Sequence, residues 1–245
     1  GIATTSVDTS TKTITINGIT AGTATITVSA TEGTNYSAAD DKTISVTVNR
    51  IAGNIELDKT SENVAYGTAS VSFNVTKHHG GTITAVQSGT SVLGVTTEVN
   101  GSRITVSGLG GLTAGTKVTI KATSGQTPVY ESASADYTIT IIRANSTITL
   151  SSTEETIDAL GHTTVTYTYN GDGVVSVSSS NTDVATTSVD TNTKTITING
   201  LTDGTANITV SANAGTNYNA PESKTISVTV NRIAGNITLD KTSEE

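Results

Sequence analysis

Two long stretches of this chain are near copies of each other. Residues 2–63 and 184–245 align with an offset of 182, and 49 of the 62 aligned positions carry the same residue. A shorter period lies within the long one, because related eight-residue segments begin at Arg50, Arg143 and Arg232. Repetition at such a spacing predicts an array of small modules, with a pair of modules as the unit of duplication.

The repeated landmarks predict four segments. Residues 1–50 are expected to be the C-terminal part of one module, 51–143 and 144–232 to be complete modules, and 233–245 to be the first strand of a further module. The joins contain no Pro-rich or Gly/Ser-rich linker, so we expect closely coupled modules in a semi-rigid, rod-like array.

Apolar and polar residues alternate along most segments, which is the pattern of a half-buried β-strand. In residues 224–231, for example, Ile226, Val228 and Val230 share one face, which we expect to pack inward. The middle module repeats this pattern at Tyr137, Ile139 and Ile141. Thr, Val and Ile dominate these segments, and such β-branched residues favour strands.

Turn residues separate the strand segments. Asn100-Gly101, between two strand-like runs, predicts a tight hairpin with positive φ at both central residues. Asp8 and Asp190 each open an equivalent turn, where an aspartate can accept hydrogen bonds from its own backbone. About seven strands per module are expected, which suits an antiparallel two-sheet sandwich. The predicted fold class is therefore all-β.

These motifs resemble the bacterial immunoglobulin-like domain, group 2. The resemblance is carried by Val184-Ala-Thr-Thr187, Thr195-Ile-Thr-Ile198, the Gly-rich stretch 200–210 and the closing strand 226–230. The first module matches as well, whereas the middle module has a longer loop at 108–116 and Lys117 where alanine is usual. The resemblance implies tandem immunoglobulin-like sandwiches. Such domains occur in surface proteins of the intimin and invasin kind, in secreted enzymes and in phage virions.

Composition argues against several functions. The net charge of −8 disfavours nucleic-acid binding, which needs a basic surface. The absence of Cys excludes disulfides and thiol catalysis. No apolar run reaches the length needed to span a bilayer.

Few residues suggest chemistry. His78 and His79 precede two glycines, so we expect an exposed, solvated turn rather than a metal site, and His162 has no recognisable partner. Tyr36, Tyr130 and Tyr218 recur at matched positions, where a sugar-stacking platform competes with packing at a strand corner. Recurrence in every module favours packing.

Two further sites are disfavoured by the repeats themselves. Asp40 and Asp41 are candidate calcium ligands, but the matching positions are Glu222 and Ser223, and calcium needs about six or more oxygens. A Lys–Asn isopeptide bond at Lys59 and Lys241 is also disfavoured, because the third module has Ser152 at the matching position. We therefore assign no catalytic, cofactor-binding or metal residue.

The sequence thus indicates a non-catalytic structural or adhesive repeat region, a stalk or filament of an extracellular bacterial surface protein. A phage decoration or tail protein, and spacer modules of a secreted carbohydrate-active enzyme, remain alternatives. Expected partners are the neighbouring modules, with cell-surface carbohydrate, protein or further copies of the chain left open.

The pairwise duplication also predicts the surroundings of this stretch. We expect a close copy of residues 64–143 after Glu245, and a segment like 152–182 before Gly1 to complete the partial module. A neighbouring molecule is the alternative cover, including an exchanged 233–245 strand, because half a sandwich exposes an apolar face and unpaired strand edges.

Overall fold

The computed structural model describes residues 1–240, which contain twenty β-strands and no helix. The predicted all-β fold is therefore confirmed. In chain order the strands are β1 (Ala3–Asp8), β2 (Thr13–Gly18), β3 (Gly22–Ala30), β4 (Ala39–Val48), β5 (Ile55–Leu57), β6 (Ser61–Ala65), β7 (Ser70–His78), β8 (Ile83–Ser88), β9 (Thr96–Asn100), β10 (Arg103–Ser107), β11 (Lys117–Ser124), β12 (Ala133–Ile142), β13 (Ile148–Leu150), β14 (Glu154–Asp158), β15 (His162–Tyr169), β16 (Val175–Ser179), β17 (Ala185–Asp190), β18 (Thr195–Gly200), β19 (Gly204–Ala212) and β20 (Lys224–Asn231).

The chain forms two compact units. The first unit comprises residues 1–63, 68–110 and 117–140, and the second comprises 64–67, 111–116 and the chain from Ile141 onward. Among the residues described, no helix is long and apolar enough to cross a membrane.

Strands β5–β12 form two four-stranded sheets with the orders β5-β7-β10-β9 and β6-β12-β11-β8, which we call the first sandwich. Strands β13–β20 repeat this arrangement as β13-β15-β18-β17 and β14-β20-β19-β16, the second sandwich. When the eight strands of a sandwich are lettered A, A′, B, C, D, E, F and G in chain order, its two sheets have the strand orders A-B-E-D and A′-G-F-C. This is the connectivity of an immunoglobulin-like sandwich. In the second sandwich β14 runs parallel to β20, whereas β19 pairs antiparallel with both of its neighbours.

The second sandwich is filled by aliphatic side chains from both sheets. On β20, Ile226, Val228 and Val230 are 0%, 0% and 2% exposed, so the inward face predicted from alternation is confirmed. They belong to one core cluster with Val165 and Ile196, which the other sheet contributes. Burial of this face supplies most of the free energy that holds the sheets together.

The first sandwich has an aromatic pair at its centre. Tyr137 on β12 and Phe73 on β7 come from opposite sheets, and their ring centroids lie 4.2 Å apart. Tyr137, Ile139 and Ile141 are at most 1% exposed, which confirms the second inward face predicted from the sequence.

The 100–101 hairpin differs from its prediction. Asn100 pairs with Arg103 and is the last residue of β9, so Gly101 and Ser102 are the central residues of the turn. Gly101 has a φ of 61°, whereas Asn100 is not in the left-handed region. A glycine at the first central position is typical of a type II′ turn, so the expectation of positive φ at both predicted positions was wrong.

Residues 1–50 form only β1-β2 and β3-β4, two sheets of two strands each, which we call the half-sandwich. By alignment with the second sandwich they are the counterparts of β17-β18 and β19-β20. Counterparts of β13–β16 are not found among residues 1–50.

Candidate functional site

The histidines are structural or exposed. His79 is half-buried, with Nδ1 accepting from the Asn54 N–H at 3.1 Å and Nε2 lying 3.0 Å from the Gly125 carbonyl oxygen. Its ring also lies 5.4 Å from that of Tyr130. The expectation of a solvated turn was therefore wrong for His79, because its ring joins three segments that are distant in sequence. His78 is exposed, as expected.

The matched tyrosines do not share one environment. Tyr130 and Tyr218 are half-buried and form parallel bridges with Ile51 and Ala144, respectively. The Tyr130 ring also packs against His79 and the Tyr218 ring against Tyr66, so these two residues have a packing role. Tyr36, by contrast, is 83% exposed, so packing was the wrong expectation for it. The segments that carry Ile51 and Ala144 precede their sandwiches, and residues 1–50 hold no counterpart of them.

The carboxylates do not converge on a metal site. Asp40 and Asp41 are exposed on β4, and Glu222 pairs with Lys224 at 3.3 Å. No group of three or more His, Cys, Asp or Glu side chains that could hold a metal ion occurs within residues 1–240. His162 is exposed at the start of β15, and Lys241 lies outside the described residues.

Lys59 belongs to a small polar cluster at the rim of the first sandwich. Its ammonium donates to Glu62 at 2.6 Å, and the Tyr137 hydroxyl donates to the same carboxylate oxygen at 2.5 Å. These two bonds, the first above all, hold the pKa of Glu62 below its usual range. Burial raises the pKa of Tyr137, and the hydrogen bond to Glu62 adds to this effect. The cluster anchors a core side chain and leaves no free nucleophile or base.

One groove of about 510 Å³ runs along β13 and the beginning of β20. Its lining is mostly Ser and Thr, and its two charged side chains, Glu222 and Lys224, neutralise each other. Because its two charged side chains compensate each other, we assign this groove no ligand.

The half-sandwich can be compared strand by strand with its more complete copy. Its strand registers repeat those of the second sandwich residue for residue: Ala3↔Gly18 corresponds to Ala185↔Gly200 through the offset of 182. The seven pairs from Gly22↔Val48 to Val28↔Lys42 correspond in the same way to pairs of β19 and β20.

The contact between the two sheets of the half-sandwich also matches the contact between the two sheets of the second sandwich. A Cβ added at Gly18 would meet Val48, and one added at Gly200 would meet the matching Val230. At Gly200 it would also meet Ile157 of β14, for which residues 1–50 provide no equivalent. The half-sandwich therefore has the geometry of a finished sandwich from which the front strands are absent.

The apolar side chains of the half-sandwich are more exposed than their counterparts in the second sandwich, although the strand registers are the same. Ile44 is 41% exposed, whereas its counterpart Ile226 is fully buried. On β2, Ile14 and Ile16 are only half-buried, while the matching Ile196 and Ile198 are fully buried. An apolar sheet face with open edges is a surface on which another polypeptide can add strands.

Hydrogen bonds connect a turn of one repeat to a loop of the following repeat in both units. In the first unit the Ala21 N–H donates to the Pro128 carbonyl at 2.8 Å, and in the second unit the Ala114 N–H donates to Asn217 Oδ1 at 3.0 Å. Ala21 and Ala114 occupy the same turn of successive repeats. We call these two hydrogen bonds the joins.

Each join is supported by an arginine and, in the second unit, by an aromatic pair. Arg50 donates from Nε to the Thr127 carbonyl at 3.0 Å, beside Pro128. Arg143 donates from Nε to the Thr216 carbonyl at 3.3 Å, beside Asn217. In the second unit Tyr66 packs edge-on against Tyr218 with centroids 5.5 Å apart. The repeats are thus coupled by hydrogen bonds and packing rather than by a bare linker.

No family model matches the chain, and no curated protein matches it either. The group 2 resemblance therefore stays a prediction.

Solved structures of several proteins with consecutive domains are similar to it. A structure of titin domains Z1Z2 in complex with telethonin has a TM-score of 0.46 at 12% identity, covering 76% of this chain and 100% of that one. Surface layer protein SbsC domains 1–6 has a TM-score of 0.35 at 16% identity, with coverages of 94% and 48%. Drosophila N-cadherin EC1-4 has a TM-score of 0.38 at 11% identity, with coverages of 94% and 63%. Likenesses this distant carry no argument about function.

Proposed function

We propose that this chain is a non-catalytic structural repeat region, a stalk or filament segment of an extracellular bacterial surface protein. Its modules are of the group 2 immunoglobulin-like kind, with boundaries after residues 50, 143 and 232. The observation that carries the proposal is the recurrence of the join. In each unit the same turn donates a hydrogen bond to a loop of the following repeat, which couples consecutive repeats to each other.

The rest of the molecule fits a mechanical role. Each complete sandwich has two four-stranded sheets with buried apolar side chains between them. The proposal assigns no catalytic, cofactor-binding or metal residue. Its partners are the neighbouring modules of the same chain, and a cell-surface carbohydrate or protein would be bound by a tip elsewhere in the parent protein.

Single-molecule pulling tests the proposal. With residues 1–245 held by handles at both ends, we expect two separate unfolding events, one for each complete sandwich. Each event should release roughly 30 nm, because an extended chain spans at most about 3.3–3.6 Å per residue. Extension at low force without discrete events would contradict a load-bearing role.

The join itself has a matched test. Asn217→Ala removes the side-chain acceptor of the Ala114 N–H, so the exchange rate of that amide should rise at least tenfold. Asn213→Ala, an exposed residue of the same loop, is the control and should leave the rate unchanged. Equal rates in both variants would show that the join does not form in solution.

A further inference from the structure

In the second unit the join depends on the conformation of one loop. Residues 213–219, which follow β19, carry both groups that contact the preceding repeat. Asn217 Oδ1 accepts the Ala114 N–H at 3.0 Å, and the Tyr218 ring packs against Tyr66. We call residues 213–219 the acceptor loop. Because a loop backbone loses entropy when it is fixed in one conformation, presenting both groups at once requires contacts that hold it.

A carboxylate from another turn holds the acceptor loop at these two residues. Asp172 lies between β15 and β16, and its Oδ2 accepts the Asn217 N–H at 2.8 Å while its Oδ1 accepts the Tyr218 N–H at 3.2 Å. Hydrogen bonds to an ionised carboxylate are stronger than those between neutral groups. Within residues 1–240 the Asp172 side chain has no hydrogen-bond partner in the preceding repeat.

We propose that Asp172 is a positioning residue for the join. By fixing the backbone of Asn217 and Tyr218, it directs their side chains toward Ala114 and Tyr66 of the preceding repeat. The inference rests on the structural role proposed above, since it names the group that orients the acceptor in the coupling between repeats. Asp172 acts on the join only through the acceptor loop.

The acceptor loop leaves room for this carboxylate. A Cβ added at Gly215 would overlap Asp172 Oδ1 and would lie 2.8 Å from the backbone carbonyl carbon of Asp172. Gly215 does not have a positive φ, so the close approach of the carboxylate, and not the backbone conformation, requires a glycine there. A side chain at this position would have to displace Asp172.

The first sandwich supports its matching loop from the same turn with a different side chain. His79 lies between the third and fourth strands of that sandwich, as Asp172 does in the second. Its Nε2 lies 3.0 Å from the Gly125 carbonyl oxygen, and its ring packs against Tyr130. The same loop carries Pro128, the acceptor of the join in the first unit. This turn therefore holds the loop that carries the join in both sandwiches.

Amide exchange measured by NMR on the full chain tests the assignment. Asp172→Ala should raise the exchange rate of the Ala114 N–H roughly fivefold or more, and it should weaken the nuclear Overhauser effects between the Tyr66 and Tyr218 rings. Asp172→Asn keeps one oxygen that can accept one of the two N–H groups, so it should give an intermediate rate.

A second variant and a control separate positioning from other effects. Gly215→Ala displaces the carboxylate without removing its charge and should raise the Ala114 rate as Asp172→Ala does. Asp183→Ala removes another exposed carboxylate of the same sandwich and should leave the rate unchanged. Because Asp172 is itself exposed, the rates in β19 and β20 should rise less than the rate at Ala114 in either test variant.

Two results would overturn the assignment and leave the join in place. The first is an unchanged Ala114 rate in Asp172→Ala and Gly215→Ala, when Asn217→Ala raises it. The second is an equal rise at Ala114 and throughout β19 and β20, because Asp172 would then act only through the stability of the second sandwich. An unchanged rate in Asn217→Ala as well would contradict both the join and this assignment.

Discussion

The Tyr137 hydroxyl joins the core of the first sandwich to the charged cluster at its rim. Tyr137→Phe removes this hydroxyl and keeps the ring against Phe73. A hydrogen bond to a charged group contributes about 1.5–3 kcal/mol. Because Glu62 keeps its bond to Lys59 and its side chain is 32% exposed, water can replace the hydroxyl in part. We therefore expect a loss of about 1.5 kcal/mol, which lowers the melting temperature of a domain this size by roughly 6–12 °C.

The loss should depend on pH in a defined direction. Hydrogen bonds from Lys59 and Tyr137 lower the pKa of Glu62 in the folded state. A lowered folded pKa gives stability that is present above the unfolded pKa and is lost as pH falls through the folded pKa. The difference between Tyr137→Phe and the parent should therefore shrink on acidification through this range.

Tyr167 provides a matched control in the second sandwich. Its hydroxyl is buried and has no hydrogen-bond partner among residues 1–240, so Tyr167→Phe should leave stability unchanged or raise it by about 1 kcal/mol. Calorimetry measures both transitions, and amide exchange assigns each one to a sandwich. The reasoning would be refuted if Tyr137→Phe melted like the parent, or if Tyr167→Phe lost as much stability as Tyr137→Phe.

Three further perturbations have clear expected outcomes. Val228→Asp should unfold the second sandwich, because it places an unpaired charge in the core; circular dichroism like that of the parent would contradict the inward face. Gly53→Ala should destabilise the first sandwich by about 1–3 kcal/mol, since its Cβ would overlap the Glu131 carbonyl oxygen. Gly235→Ala is the control and should leave the denaturation midpoint of the first sandwich unchanged, because no atom of residues 1–240 beyond its chain neighbours lies within 4 Å of the added Cβ. Calcium should not raise either melting temperature; a large rise would reveal a site that binds only the folded state.

Strand faces could be read from the sequence because their signal is local. Alternation along 224–231 places Val228 and its neighbours on one face whatever sheet they join. The Asp8 turn was predictable for the same reason: its carboxylate accepts the Ser10 N–H at 2.9 Å and the Thr11 N–H at 3.2 Å. The repeats added long-range information, because a residue can be compared with its copy in another sandwich.

Other features depend on contacts that no local pattern encodes. His79 is held by Asn54 and Gly125, which are distant in sequence, so its packed ring could not be read from the neighbouring glycines. Tyr36 and Tyr218 have similar local sequences but different burial. Tyr218 is bridged to Ala144, and residues 1–50 contain no counterpart of the segment that carries Ala144. The joins likewise became visible only when loops of successive repeats were seen together.

The most direct test of the account uses the internal copy as its own control. Strands β3-β4 and β19-β20 share the register of seven residue pairs and nearly the same sequence, but only the second set is covered by front strands. Residue-resolved amide exchange by NMR on the unmodified chain compares them in one sample. We predict that amide exchange in β19-β20 is limited by global unfolding, and that amide exchange in β3-β4 is faster by several orders of magnitude. Equal protection of the two sets, independent of protein concentration, would contradict it.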